Sequence, residues 1–180
     1  MRTTRSFVSH AAFGAAMVVG LVAVTAATKG ATNHTAMFGG PWISIETPVN
    51  PYMASATGAV FLVHTFVHQN PIDLPVEGRA EGLVDGKRRS VTFTLNKSAQ
   101  AGTYAVRREW GDRGIWTLLV TAMPQAKNGS IQAVVNLGAD GEIERVSVPR
   151  SGMSTRLLTD AEIERGLRDR ARGTVAVSGR

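Results

Sequence analysis

The amino-acid sequence predicts a mainly β protein: an antiparallel β-sandwich of about seven or eight strands, preceded by a hydrophobic helix and followed by a short α-helix. Short segments rich in β-branched and aromatic residues alternate with turn signals at intervals of about ten residues. Two Asp-Gly pairs separate such segments, and an amphipathic helical pattern occurs only near the C-terminus. Strands that follow one another without intervening helices favour antiparallel sheets over an α/β fold.

The N-terminal segment, residues 1–28, has the layout of an export signal. Arg2 and Arg5 precede the stretch Phe7–Thr28, which carries no fixed charge at neutral pH. Small residues at Val24–Ala27 offer a cleavage site, but the stretch also reaches the ~20 apolar residues that a membrane-spanning helix needs. Two alternatives therefore stay open. A signal-anchor helix would hold the protein at the periplasmic side of the bacterial inner membrane, whereas cleavage would release it into the periplasm.

Composition divides the chain into four parts. Residues 1–28 form the signal peptide or transmembrane anchor, and residues 29–41 form a Gly-rich linker. The β-sandwich domain is predicted over residues 42–150, and a basic C-terminal helix and tail over residues 151–180. A chain of 180 residues accommodates one such domain with tails.

Charge and cysteine content exclude several functions. The net charge of +6 arises mainly from arginines in the C-terminal part, whereas the predicted domain is balanced. A nucleic-acid-binding protein would carry its basic residues on the folded domain, so nucleic acid is not an expected partner. The sequence has no cysteine, which excludes disulfides, thiolate metal sites and a cysteine nucleophile.

The predicted strands follow from alternation and turn chemistry. We expect each Asp-Gly pair to form a type I′ turn, with positive φ at both central residues, between two paired strands. The predicted strands are Trp42–Thr47; Gly58–His68; Val76–Val84 paired with Lys87–Asn96 across Asp85-Gly86; Thr103–Trp110 paired with Ile115–Met123; and Ile131–Leu137 paired with Glu142–Val148 across Asp140-Gly141.

The C-terminal helix is predicted over Asp160–Arg172. Thr159 and Glu162 form a capping-box pattern, and Gly173 is a typical C-terminal stop. The apolar stripe of this helix is narrow, so the helix has to dock either on its own domain or on a partner. The residues expected to make that contact are Leu157, Leu158, Ile163, Leu167, Arg168, Arg170 and Arg172.

A few histidines and methionines are weak candidates for metal ligands. His64 and His68 lie four apart in one predicted strand, about 13 Å along the chain, which is too far to share an ion unless the strand ends before His68. His34, Met37 and Met53 are ligand types that suit copper, but they do not cluster in the sequence. The favoured interpretation is structural, with His64 packed among apolar neighbours. The sequence predicts neither a metal nor a cofactor.

The sequence also lacks the common catalytic motifs. It contains no nucleophile elbow, HExxH motif, Walker loop or Gly-rich dinucleotide fingerprint. Its carboxylates form no pair among apolar neighbours that would raise the pKa of one of them. We therefore expect a non-catalytic protein.

The segment GTYAVRREWGDRGIWTLLVTA, residues 102–122, resembles the closing strands of YtkA-like and FixH-like periplasmic domains. The resemblance extends over residues 42–123 and implies an immunoglobulin-like sandwich, a single N-terminal helix and attachment to a respiratory membrane system. The related CopC-like copper carriers use histidine and methionine near the mature N-terminus, for which this sequence has no convincing equivalent. The matching positions are Gly102, Tyr104, Gly114, Trp116, Leu118 and Val120.

Together these patterns predict a membrane-anchored periplasmic accessory subunit of a larger membrane protein complex, respiratory or photosynthetic by the resemblance. Its expected partners are the membrane, through the N-terminal helix, and other protein subunits. The alternative is a soluble periplasmic protein that binds copper or a small ligand after its signal peptide is removed.

Overall fold

A computed structural model describes most of the chain after the predicted linker. The predicted N-terminal helix lies outside the described residues, as do His34, Met37 and Met53. Within the described part, no helix combines the length and the apolar character that crossing a membrane requires. The described residues are 40–50, 52, 56–126 and 129–178, with side chains up to residue 173.

The described chain is mainly β, with antiparallel sheets and one C-terminal helix, as the sequence predicts. The helix, α1, covers Asp160–Ser178. The strands in chain order are β1 (Pro41–Glu46), β2 (Phe61–Val67), β3 (Asn70–Pro71), β4 (Val76–Val84), β5 (Lys87–Phe93), β6 (Leu95–Lys97), β7 (Thr103–Val106), β8 (Ile115–Ala122), β9 (Ile131–Leu137), β10 (Ile143–Ser147), β11 (Arg150–Ser151) and β12 (Ser154–Thr155).

The strands form two five-stranded sheets and one small hairpin. Sheet A has the order β1-β2-β7-β6, and β3 pairs with β2. Sheet B has the order β10-β9-β8-β4-β5. The hairpin β11-β12 lies in the connection between β10 and α1.

One hydrophobic core contains side chains from both sheets. Successive side chains of a strand point to opposite faces, so the apolar residues at alternate positions collect on one face of each sheet. Removing this apolar surface from water is the main favourable contribution to folding. The fully buried members larger than alanine are Phe61, Val63 and Val106 from sheet A, and Leu118, Val120, Val135 and Leu137 from sheet B.

The two Asp-Gly pairs form different turns. Asp85 and Gly86 have φ values of 50° and 71° and join β4 to β5, which confirms the predicted type I′ hairpin. At the second pair, which also joins paired strands, Gly141 has a φ of 82° but Asp140 is not left-handed. The turn there spans four residues, closed by a bond from the Gly141 amide to the Gly138 carbonyl (3.0 Å), so the prediction of a second type I′ turn is wrong.

The predicted pairing of Thr103–Trp110 with Ile115–Met123 is also wrong. β7 lies in sheet A between β2 and β6, whereas β8 lies in sheet B between β4 and β9. The connection between them, residues 107–114, is longer than a tight hairpin loop and crosses from one sheet to the other.

The predicted strand Lys87–Asn96 is interrupted at Thr94. Residues up to Phe93 pair in sheet B, and residues from Leu95 onwards pair in sheet A. The Thr94 amide leaves the strand pairing at this point and donates to the carboxylate of Glu109 instead (3.0 Å). The alternation predicted for this segment holds, since Phe93 is buried and Leu95 packs against the same core.

The start of α1 agrees with the predicted capping box. The Thr159 amide donates to the Glu162 carboxylate (2.9 Å), and the Glu162 amide donates to the Thr159 hydroxyl (3.3 Å). The predicted end at Arg172 is wrong, because the helix continues through Gly173 to Ser178. A glycine inside a helix costs about 1 kcal/mol relative to alanine, which neighbouring turns can offset.

Candidate functional site

The predicted contact residues of the C-terminal helix divide into buried and exposed ones. Ile163 and Leu167 are buried in a second apolar cluster with Ile115, Leu119 and Val134, on the face of sheet B that points away from the main core. The sequence leaves open whether the helix docks on its own domain or on a partner. Ile163 and Leu167 pack against the chain's own domain. They are enclosed within the domain and are not part of its surface.

Arg170 also belongs to this internal interface. Its Nη1 donates to the backbone carbonyls of Trp116 (3.2 Å) and Leu137 (2.9 Å), and its Nη2 donates to the Thr117 hydroxyl (2.6 Å). Burial lowers the pKa of the guanidinium, and the nearby carboxylate of Glu144 opposes that shift. Arg170 therefore ties α1 to β8 and β9.

The remaining predicted contact residues lie nearer to solvent. Leu157 is 45% exposed, while Leu158 is half-buried against the cluster under α1. Arg168 and Arg172 form ion pairs with acidic residues one helical turn away. In the described structure, these two arginines and Leu157 are the members of the set that a partner can reach.

A second surface lies on the outer face of sheet A and begins with β1. Ile43 is buried and Ile45 packs against the core, so alternation places Trp42, Ser44 and Glu46 on the opposite face. The neighbouring strand β2 pairs with β1 in register, which brings its own outward side chains next to these. The result is a strip of aromatic and polar side chains across two strands.

The aromatic part of this strip is the pair Trp42 and Phe66. The two residues are directly opposite each other in β1 and β2, and their rings stack with centroids 4.0 Å apart and planes 10° apart. Trp42 remains 42% exposed. Aromatic cross-strand pairs stabilise a sheet, by about 0.5–1.5 kcal/mol beyond their area, and the exposed part of the indole is free to contact another molecule.

The polar part of the strip centres on His64. Its Nε2 donates to a carboxylate oxygen of Glu46 (2.9 Å), and in that tautomer its Nδ1 accepts from the hydroxyl of Thr103 (3.2 Å). The order hydroxyl, imidazole, carboxylate is that of a catalytic triad. However, Thr103 is only 1% exposed, so its hydroxyl does not reach a substrate in solution. The array instead links β1, β2 and β7.

The candidate metal ligands are not brought together in the described structure. His68 lies beyond the end of β2, in a left-handed turn with a φ of 50°, while both ring nitrogens of His64 are engaged. Among the described residues, no group of three histidine, aspartate or glutamate side chains is arranged to hold an ion.

Apart from His64, the residues of the outer strip are not among the candidate site residues that the sequence predicts. Glu46 and Thr103 belong to no recognisable motif, and Trp42 is predicted only as part of a strand. Alternation in the segment PWISIE already places Trp42 and Glu46 on one face. What the sequence alone does not show is that β1 pairs with β2 in the register that stacks Trp42 on Phe66.

Comparison with family models, with curated proteins and with solved structures finds no match to this chain. The residues that carry the resemblance to FixH-like domains are therefore interpreted from their positions alone. Tyr104 lies in β7 of sheet A, and Trp116, Leu118 and Val120 lie in β8 of sheet B. All four are buried in the main core, which makes them structural residues.

Proposed function

We propose that this chain is a non-catalytic accessory subunit of a larger membrane protein complex, held at the periplasmic side of the bacterial inner membrane by its N-terminal segment. The observation that carries the proposal is the exposed Trp42 stacked on Phe66 on the outer face of sheet A. The partner of this surface is another protein subunit of the complex.

The chemistry of the strip supports a protein partner. Protein interfaces are enriched in tryptophan and other aromatic residues at their centre and carry a polar rim. Here the apolar centre is Trp42 on Phe66, and the half-buried carboxylate of Glu46 beside it supplies hydrogen-bond acceptors. The stack already fixes the orientation of the indole, so a partner that covers it pays little additional side-chain entropy.

The position of β1 in sheet A supports contact with a partner chain. β1 is the first strand after the predicted linker, residues 29–41, and it occupies the end of the strand order in sheet A. Among the described residues it pairs with β2 only, and a strand in that position can offer its outer backbone edge to a partner chain. A partner at this edge would meet both the backbone of β1 and the exposed indole.

The immunoglobulin-like fold and the kind of host complex are proposed from the resemblance to FixH-like domains. The proposal includes an immunoglobulin-like sandwich for the described domain, for which the shared core of sheets A and B is supporting geometry. It also includes an energy-transducing host complex, respiratory or photosynthetic, as the resemblance to FixH-like proteins implies. We propose no cofactor for the chain itself.

The test is the migration of the protein after mild detergent extraction of native membranes. The wild-type chain is expected to co-migrate with a large assembly. Trp42→Ala removes the exposed anchor and is expected to release most of the chain as a small species, because truncating a central aromatic anchor typically costs 2 kcal/mol or more of binding free energy, roughly a 30-fold loss of affinity.

Val146→Ala is the matched control. Val146 is 38% exposed, similar to Trp42, but it lies in β10 at the edge of sheet B. This variant is expected to co-migrate as the wild type does, and thermal unfolding should show that both variants are folded. A wild-type chain that occurs only as a soluble periplasmic monomer contradicts the proposal, and so does a folded Trp42→Ala variant that stays in the assembly.

A further inference from the structure

We propose that the partner subunit contributes one extended segment, which pairs with the outer edge of β1 as an added strand of sheet A and stacks a planar side chain on Trp42. This inference rests on the proposed function and specifies how the partner is bound. It follows from the backbone edge of β1, from the free face of the indole and from the charge of Glu46.

β1 differs from the other three edge strands of the two sheets. β5 begins with three basic residues at positions 87–89, a register shift between Ile143 and Arg145 interrupts β10, and β6 has only three residues. Basic residues, bulges and short length are means by which edge strands avoid pairing with other chains. β1 has six residues with Glu46 as its only charged one, and its proline, Pro41, stands at the first position and does not interrupt it. Among the described residues, β1 is therefore the edge without such protection.

The free face of the Trp42 indole points towards this edge. One face of the ring is stacked on Phe66, which lies directly opposite in β2, so the other face points away from β2. Pro71 of β3 is opposite Phe66 on its other side, which makes a row of three ring side chains across the outer face of sheet A. Adjacent strands lie about 4.8 Å apart, close to the 4.0 Å between the centroids of the two aromatic rings. A planar side chain opposite Trp42 in an added strand would therefore lie at stacking distance and extend the row.

Glu46 gives the added segment a charge preference. Its side chain is 35% exposed, and one of its carboxylate oxygens accepts from His64. The other oxygen, Oε1, has no hydrogen-bond partner among the described residues. A basic side chain opposite Glu46 would form an ion pair across the two strands.

The inner face of β1 determines the residues between these two positions. Ile43 is buried in the core and Ile45 packs against it, so aliphatic side chains opposite them would extend the core beyond β1. The pairs within sheet A are antiparallel, which favours an antiparallel added strand. The segment is then, from its N-terminus to its C-terminus, basic, aliphatic, small and polar, aliphatic, and aromatic.

A second copy of the chain fits this edge less well than such a segment. A symmetric antiparallel pair of β1 strands, centred on Ile43 or Ser44, places Ser44 or Glu46 of the other copy opposite Trp42. β1 has no basic residue, so Glu46 would gain no ion pair and the indole would gain no planar neighbour. The partner is therefore a different chain.

The experiment is a titration of the full chain in detergent with dye-labelled peptides, followed by fluorescence anisotropy. In the central five positions, lysine, valine, threonine, valine and phenylalanine are placed opposite Glu46, Ile45, Ser44, Ile43 and Trp42. We expect saturable binding below about 1 mM. Trp42→Ala should weaken it about tenfold or more, and Glu46→Gln about two- to fivefold at low salt and less as salt is added. Val146→Ala, at the edge of sheet B, should bind as the wild type does.

Two N-methylated peptides separate strand addition from contact through side chains alone. One carries its methyl groups at the residues opposite Ser44 and Trp42, and the other at the residues opposite Ile45 and Ile43. Alternate N–H groups of an added strand point towards β1 and away from it. One of the two peptides is therefore expected to lose at least about tenfold in affinity, and the other to bind as the unmodified peptide does.

Amide hydrogen exchange within the native assembly is the second measurement. Alternate amides of β1 are expected to exchange at least about tenfold more slowly in the assembly than in the isolated chain, while those of β5 are unchanged. Strand addition is overturned by no saturable binding of the unmodified peptide, by equal affinities of the two methylated peptides, by unprotected β1 amides in an intact assembly, or by cross-links between two copies of β1. With an intact assembly, these results leave the accessory role standing. Absence of any assembly contradicts the accessory role itself, on which this inference rests.

Discussion

At the scale of single residues, Glu162 links the first turn of α1 to Thr159, the residue before the helix, and to Arg156. Its carboxylate accepts two hydrogen bonds from Arg156 and one from the amide of Thr159, at distances of 2.7–2.9 Å. The bonds from Arg156, followed by those from Thr159, lower the pKa of Glu162 to about 2. The same interactions satisfy a backbone donor at the start of α1 that has no partner within the helix.

This lowered pKa makes part of the stability dependent on pH. A carboxylate whose pKa is lower in the folded state than in the unfolded state stabilises the fold above its unfolded pKa, here about 4.5, and loses that contribution as the pH falls towards about 2. Glu162→Gln is expected to lower the urea midpoint of unfolding at pH 7, and this difference from the wild type should shrink between pH ~4.5 and ~2.

Arg156→Met is the control for that experiment, because it removes the hydrogen-bond donor that lowers the pKa of Glu162 most. Arg156→Met should also lower the urea midpoint at pH 7, and its difference from the wild type should likewise shrink towards pH ~2. The double variant should be little less stable than either single variant. A difference between wild type and Glu162→Gln that is the same at pH 2 as at pH 7 contradicts the assignment.

Gly86 shows a different kind of local requirement. Its φ of 71° lies in the left-handed region, yet a Cβ there would meet no heavy atom within 4 Å. The cost of Gly86→Val is therefore conformational and not steric, and we expect a loss of about 1–2 kcal/mol in the free energy of unfolding. Gly40→Val is the control, because its Cβ position is also open and its φ is not left-handed. A chemical denaturation series measures both, and equal effects would contradict the turn assignment.

At the scale of secondary-structure elements, α1 depends on its contacts with sheet B. The helix has its own capping box, but its apolar stripe is narrow, and Ile163 and Leu167 are almost completely buried under it. Arg170 adds hydrogen bonds to two strands. Packing and these bonds, more than helix propensity, hold the element in place.

Leu167→Ala tests this dependence. Truncating a fully buried leucine leaves a cavity, and we expect the variant to lose about 2–5 kcal/mol of stability. Leu157→Ala, at a position that is 45% exposed, is expected to change stability by no more than about 0.5 kcal/mol. Urea unfolding followed by tryptophan fluorescence compares the two. A Leu167→Ala variant as stable as the wild type would show that α1 is not docked in solution.

At the scale of the whole molecule, local features could be predicted from the sequence and long-range ones could not. The Asp85-Gly86 turn and the Thr159–Glu162 capping box depend on residues within a few positions of each other, and both are confirmed. The sheets that β7 and β8 join are set by their pairing with β2 and β4, which lie much earlier in the chain. Because both strands are buried on both faces, their sequences do not say which sheet each joins.

The candidate sites also combine local features, which the sequence shows, with long-range contacts, which it does not show. Alternation in β1 puts Trp42 and Glu46 on one face, but only the fold shows that this face is the outer one and that Phe66 is the partner of Trp42. Arg170 was expected at the surface with the other arginines of the helix, as such residues usually are. Only the docked position of α1 turns it towards the ends of β8 and β9.

The chain changes sheets at three places, in residues 72–75, at Thr94 and in residues 107–114, and these crossings determine how the domain folds. β4 and β5 belong to sheet B, β6 and β7 to sheet A, and β8 and β9 again to sheet B. Neither sheet can be completed from one continuous stretch of chain. For example, Phe61 of β2 pairs with Val106 of β7, although β3 to β6 lie between them in the sequence. We therefore expect folding to be a single cooperative transition with high contact order, on a timescale of about milliseconds to seconds.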